Sequence, residues 1–315
     1  MTDAEILQEL PRLRALVIGD ICLDRWCHYD PSLSIPSVET GIPRIAVTQS
    51  ITTPGAGGTI ANNLASLQVG RVSVLGAVGG DGHGFELRKA LAQRGIRDEL
   101  LVEAPGRLTF TYTKLINLST GAEDLSRLDF IYEPDLEAEQ EVLRRLHPAI
   151  DQHDVILISD QAETDTGGVV TAAVRHLLAH LAATYPDKVF LADSRRRVHL
   201  FKRVSLKPNW AEAGGWTLDL PALRRHAEAP VLFVTRGGDS VHVLHSQGES
   251  IVAVRKVENP VDICGAGDSF AAGAAAALFL TRDPVRAAQF GNRIAGITIT
   301  KPGTGTASPE EVLGL

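Results

Sequence analysis

Short apolar runs recur along the chain and set its rhythm. Residues 14–19 read RALVIG, 71–77 RVSVLGA, 154–159 DVILIS, 188–192 KVFLA and 230–235 PVLFVT. None alternates strictly between apolar and polar positions, so each predicts a strand covered on both faces. Helical patterns at 135–150, 168–184 and 221–229 separate the later runs. Another, at 85–95, follows the cluster Gly79, Gly80, Gly82 and Gly84 and stops at Gly95. A short polar helix is expected at 1–10 and an alanine-rich one at 271–280. Strands alternating with helices imply an α/β fold with a parallel, doubly wound sheet.

Two segments break the rhythm. Residues 43–51 read PRIAVTQSI. In 108–132, Thr109, Thr111, Thr113, Leu115 and Asn117 alternate with Phe110, Tyr112, Lys114, Ile116 and Leu118. Ser119-Thr120-Gly121 supplies a turn before 127–132 returns. These segments predict antiparallel hairpin strands outside the parallel sheet. No internal repeat or low-complexity linker interrupts the 315 residues.

Composition is that of an ordinary globular protein, 44% hydrophobic and 22% charged. A net charge of −7 without a basic stripe argues against a nucleic-acid partner. Arg195-Arg196-Arg197 reads as a solvated loop. No apolar run reaches the roughly 18 residues that a membrane span needs, and the N-terminus lacks the pattern of a signal peptide. Three cysteines, Cys22, Cys27 and Cys264, form a sparse, odd set that suits unpaired thiols in a reducing cytoplasm. The ten histidines form no metal-site pair, and no Gly-x-Ser-x-Gly elbow supports a hydrolase.

The chemistry concentrates in Asp262-Ile263-Cys264-Gly265-Ala266-Gly267-Asp268-Ser269-Phe270, a glycine-bracketed turn leading into the alanine-rich helix. Gly265 and Gly267 let backbone amides approach an anion. The helix start adds positive potential. Asp268 stands where a carboxylate can take a proton from an alcohol. The plainer reading of an Asp at such a place is a helix cap. Other polar residues follow the predicted strands, where open α/β sheets bind ligands. They include Asp20 and Asp24 after the first strand, Asp193 after 188–192, and Thr235-Arg236-Gly237-Gly238 after 230–235. Residues 54–67 (PGAGGTIANNLASL) form a glycine-rich stretch before a helix, without the Gly-Lys-Ser/Thr of a P-loop or the third glycine of a dinucleotide fingerprint.

The 262–270 stretch strongly resembles the C-terminal signature of the ribokinase-like, or PfkB, carbohydrate kinases, and the resemblance runs from about Leu16 to the C-terminus. It implies a three-layer sandwich with a mostly parallel central sheet. The whole of 1–315 would be one kinase domain, with a small β-strand lid drawn from about 35–52 and 107–132. It also implies that Gly265, Ala266 and Gly267 hold the transferring phosphoryl group and that Asp268 is the base. Asp24, Gly55, Gly57 and Lys114 would bind the sugar. Two registers of the glycine-rich stretch stay open: one without gaps gives Thr59, with Asn63 a turn further, and one matching Gly57-Gly58 gives Asn62. ATP would meet Asp193, Lys207, Asn209, Thr235, Gly237 and Asn292. Asn209 and Glu212, in PNWAE, resemble the pair that holds the waters of Mg²⁺. Asp262, Cys264, Thr298 and Gly303 match the places that hold a monovalent cation, K⁺ for instance, in many members. A homodimer through the lid follows from the same resemblance.

Within the family, the chain is most similar to the heptose-7-phosphate kinase branch, through GDICLDR at 19–25, RLDF at 127–130 and the GTxTxSP pattern at 303–309. It departs at Ile35, where the branch has Arg, and at Asp193-Ser194-Arg195, where the branch has Asp-Pro-Lys. Many relatives carry a second, nucleotidyl-transferring half, and that activity is expected to be absent here. The reading is thus an ATP-dependent kinase of a sugar or sugar phosphate. A kinase of an unphosphorylated sugar or nucleoside, and a non-catalytic sensor on the same fold, are the alternatives.

Overall fold

The computed structural model describes residues 1–131, 136–162, 166–214 and 219–314. The end of the predicted 108–132 hairpin and the first residue of the predicted 135–150 helix lie outside them.

The strands, in chain order, are β1 (Arg14–Gly19), β2 (Ile21–Tyr29), β3 (Val47–Ala56), β4 (Arg71–Leu75), β5 (Ala77–Gly79), β6 (Val102–Ala104) and β7 (Thr111–Asn117). They continue with β8 (Leu128–Phe130), β9 (Val155–Asp160), β10 (Val189–Ser194), β11 (Ser205–Leu206), β12 (Val231–Thr235), β13 (Ser240–His245) and β14 (Gly248–Ala253). The helices are α1 (Asp3–Glu9), α2 (Gly57–Ser66), α3 (Gly82–Ala92), α4 (Leu136–Asp151), α5 (Ala172–Thr184), α6 (Leu220–Ala227), α7 (Ala266–Thr281), α8 (Pro284–Thr298) and α9 (Pro309–Leu313).

The main sheet has eight strands in the order β14-β13-β12-β11-β10-β9-β1-β4. From β4 to β12 every pairing is parallel; β13 and β14 add an antiparallel edge. Each apolar run serves two cores at once. In β1, Ala15 and Val17 join the layer built with α2, α7 and α8, while Leu16 and Ile18 join the layer with α4, α5 and α6. That double burial explains why the runs do not alternate. Alanines fill α7 because it is itself enclosed; Ala271, Ala272 and Ala274 to Ala277 are all buried. The three-layer α/β sandwich expected from the sequence is present.

A second sheet, β3-β2-β7-β8, stands at the carboxyl end of the first, since β2 leaves directly from β1. It corrects the expected hairpins in two ways. Its central strand is β2, which sequence patterning read only as a polar motif. And β2 pairs with β7 in parallel, whereas β2–β3 and β7–β8 are antiparallel. The 54–56 segment, expected in a loop, is the end of β3. The alternation in β7 holds: Thr111, Thr113, Leu115 and Asn117 are buried, and Tyr112, Lys114 and Ile116 are partly open on the other face.

Candidate active site

The start of α7 stands between two cavities. A cleft of about 140 Å³ lies under the four-stranded sheet, and Gly265 and Asp268 form part of its wall. A larger cavity of about 380 Å³ lies on the other side, walled by Ala266 and Gly267. The helix start thus borders both spaces.

Its geometry leaves donors free. Gly265 caps the helix with φ of +78°, a left-handed conformation that favours glycine. A Cβ there would also press on Thr59 Cγ2 at 3.1 Å. The Ala266 amide donates to Ile263 O at 3.2 Å, and the Ser269 amide to Gly265 O at 2.9 Å. Among the described residues, the amides of Gly267 and Asp268 donate to no protein acceptor. Within the sequence-based trio Gly265–Ala266–Gly267 the Ala266 amide is thus engaged, and the free amide of Asp268 stands next to that of Gly267. Asp268 is not a cap by its side chain, since α7 has no side-chain cap bond.

The Asp268 carboxyl is pushed up to about 7, first by burial and then by the negative charge of Asp193. Lys207 opposes the shift, Asp24 adds to it, and Arg195 opposes it. Behind the helix start, Lys207 and Asp193 form a buried ion pair at 2.9 Å. The Lys207 ammonium lies so close that a Cβ on Gly267 would sit 3.2 Å from Nζ. Burial drives the Lys207 pKa down, but Asp193, Glu212 and Asp268 together raise it above the ordinary lysine value. Its charge therefore stays in place.

The cleft draws on both sheets. From β2 come Asp24 and Trp26; from β7, Tyr112 and Lys114, directly across in register. Asp24 lies over Gly55 so tightly that a Cβ there would meet Oδ1 at 2.3 Å, the reason for a glycine in that strand. Burial raises the Asp24 carboxyl to about 6, against the pull of Lys114, Arg127 and Arg195. Thr59, Gln161, Arg195 and Thr304 complete much of the wall. Gly57 is buried at the start of α2, its amide donating to Asp20 O at 2.9 Å. Asn63 is also fully buried; its Nδ2 donates to Thr59 O at 3.0 Å, so it braces Thr59 and does not line the cleft. Asn62 opens into a different hollow.

Arg195 and Arg196 are exposed, as a solvated loop implies, whereas the buried Arg197 corrects that expectation. Arg195 lines the cleft and donates to Gln161 Oε1 at 2.8 Å. Arg197 is buried in an ion pair with Asp160, which also accepts from Ser194 Oγ at 2.7 Å. Asp20, buried after β1, accepts from the amides of Gln161, Ala162 and Val169 at 2.8–3.1 Å and holds that loop beneath the cleft. A run of arginines carries no sign of burial in its sequence; the only signal was its place just past a predicted strand.

The larger cavity has an apolar lining from Val241, Val254, Val257, Phe270 and Ile299. Thr235, Gly237 and Asn292 line it too. Asn292 Nδ2 is buried with no partner, a donor waiting for an acceptor. Asn209 and Glu212 cap each other: the Asn209 amide donates to Glu212 Oε2 at 2.7 Å and the Glu212 amide to Asn209 Oδ1 at 2.9 Å. Burial, and then Asp193, raise the Glu212 carboxyl. Asp262 ties two turns together, accepting from the amides of Cys264 at 2.8 Å and Gly303 at 3.2 Å. The carbonyls of Thr298 and Gly303 accept from Lys301 and Gly305. No group of three or more His, Cys, Asp or Glu side chains suited to a metal occurs among the described residues. The three cysteines are unpaired, as expected. No helix among the described residues is long and apolar enough to cross a membrane.

In this α/β protein an apolar cavity and a polar cleft meet at a helix start with free amides, an arrangement suited to an anion beside an alcohol. The chain belongs to the pfkB family of carbohydrate kinases, whose model matches residues 14–311. It is 29% identical to the bifunctional protein HldE of Gluconacetobacter diazotrophicus over 96% of this chain but 63% of that protein. The chain therefore spans a little under two thirds of that relative's length. It is 26% identical to the D-beta-D-heptose 7-phosphate kinase of Bordetella bronchiseptica, over 98% of this chain and 97% of the relative. Among solved structures, a carbohydrate kinase from Agrobacterium tumefaciens matches with a TM-score of 0.71 at 23% identity, covering 96% of each chain. An Arabidopsis thaliana ribokinase complexed with ribose and ATP matches with a TM-score of 0.67 at 16% identity, covering 96% of this chain and 98% of that one. These two likenesses establish the ribokinase-like fold.

Proposed function

We propose that the protein is an ATP-dependent kinase that moves the γ-phosphoryl group to a hydroxyl of a sugar or sugar phosphate, acting as one kinase unit with the four-stranded sheet as its lid. The observation that carries this is the position of Asp268, at a helix start with free amides, on the border of two cavities. The acceptor lies in the cleft, with Asp24, Lys114, Arg127 and Arg195 around it. The nucleotide lies in the larger cavity, its base against the apolar wall and Asn292. Asp268 takes the hydroxyl proton as that oxygen bonds to the γ-phosphorus and the bond to the β-phosphate bridge breaks. The amides of Gly267 and Asp268, with Lys207 behind them, stabilise the transferred charge.

The residues fit Mg²⁺ held through water, because the Asn209 and Glu212 oxygens keep lone pairs beyond their mutual cap. Bound Mg²⁺ would neutralise the nucleotide phosphates. A monovalent cation such as K⁺ beside Asp262 belongs to the same reading and is checked by comparing activity in K⁺ and Na⁺ salts.

The cluster Lys114, Arg127 and Arg195 near Asp24 favours an acceptor that carries negative charge, although Lys114 also faces Glu123 at 3.6 Å and Arg127 pairs with Asp129 at 2.6 Å. Such an acceptor is in line with the relative named D-beta-D-heptose 7-phosphate kinase. The test is ATP turnover over a panel of free sugars, nucleosides and sugar phosphates. Phosphoryl transfer to a member of the panel supports a kinase; saturable binding without turnover on any of them favours a sensor.

A further inference from the structure

Behind the acceptor cleft lies a separate hollow of about 530 Å³, walled by Trp26, His28, Asn62, Arg94 and the turn from Lys301 to Thr306, among others. Trp26 and Thr304 divide it from the cleft and line both. Arg94 follows the last turn of α3. Its Nη1 donates to Ala90 O at 2.8 Å and its Nη2 to Thr53 Oγ1 at 3.1 Å. Among the described residues no carboxylate pairs with it. The neighbouring Lys301 is, by contrast, neutralised by Glu311 at 2.7 Å. A half-buried cation without a counter-ion is costly, and burial lowers the Arg94 pKa accordingly. His28 Nδ1 is also buried without a partner. The Trp26 indole packs on Gly303, whose Cβ, if present, would sit 3.5 Å from it. The hollow therefore combines an unneutralised guanidinium, an aromatic wall and the polar groups of Asn62 and Thr53.

We propose that this hollow is a second binding site for a sugar phosphate, with the phosphate on Arg94 and the sugar between Trp26 and Asn62. The proposal extends the reading of the protein as a sugar-phosphate kinase. Its test reads binding alone, so its failure and the failure of that reading are distinguishable.

Inorganic phosphate and D-glucose 6-phosphate are titrated by calorimetry into the full chain, with a non-hydrolysable ATP analogue and Mg²⁺ present to occupy the nucleotide side. Saturable binding of both is expected, with the ester tighter. Arg94→Gln should weaken both about 10- to 100-fold, the range for losing a charge-assisted contact. Asn62→Ala should weaken only the ester, and Lys114→Ala, in the cleft, should leave the Arg94-dependent binding unchanged. Because Arg94 lacks a counter-ion, Arg94→Gln without ligand should melt no lower than the wild type; Arg94→Lys, which keeps the charge, should bind with intermediate affinity. Unchanged affinity in Arg94→Gln, equal affinity for phosphate and ester, or a lower unliganded melting temperature in Arg94→Gln would each overturn the proposal.

Discussion

Asp268 carries the chemistry because its surroundings make it a weak acid. Its pKa of about 7 lies above the ordinary 3.8 because the charged form loses water and faces Asp193. With the folded pKa raised, the stability due to the protonated carboxyl is complete below 3.8 and is lost as pH rises through about 7. The base form appears over that same upper range. The kcat/KM for the acceptor should therefore rise with pH and level off above about 7. A profile already flat from about pH 5 upward would contradict a free enzyme that needs this carboxylate ionised. This residue stood out in the sequence because the whole 262–270 stretch resembles the family signature; the glycine turn alone reads more plainly as a helix cap. The burial of Arg197 was not legible, because burial of a charge depends on partners distant in sequence, here Asp160. Asn63 was legible as a helical residue, but its facing toward the interior is set by how α2 packs.

Among the elements, the buried parallel strands announced themselves by apolar composition. β2 did not, because Asp24, Arg25 and His28 interrupt its pattern, and two of its polar residues are there to face a cleft or to pair with α3. β13 and β14 were missed for a similar reason: histidines and serines break their alternation at an edge strand pair. α3 begins at Gly82, three residues before the expected Phe85, because Asp81 accepts from the Gly84 amide at 2.8 Å and from Thr109 N at 2.9 Å. The exits of β9 and β10 are fastened by the buried Asp160–Arg197 pair. Arg197→Met would leave Asp160 buried and uncompensated, which should cost about 3–5 kcal/mol in urea unfolding. A loss below about 1 kcal/mol would show that the pair does not hold these exits together.

For the molecule as a whole, exposed apolar side chains gather on the connection between β2 and β3 and around β8. Ile35, Val38, Ile42, Leu128 and Ile131 are all more than half exposed. Apolar surface of this kind is usually covered by a partner, and a second copy meeting lid to lid is the arrangement proposed here. Sedimentation should show a dimer that Val38→Asp with Ile42→Asp converts to monomer. A wild type that stays monomeric at every concentration would contradict it.

The account as a whole depends on Asp268 removing a proton from the acceptor hydroxyl. The direct measurement is rapid-quench transfer of the ATP γ-phosphoryl group by the wild type and by Asp268→Asn, on the acceptor that the panel identifies. The expected result is a drop in kcat of about 10² or more, the range for losing a general base, with nucleotide affinity preserved. Undiminished turnover in Asp268→Asn would contradict it.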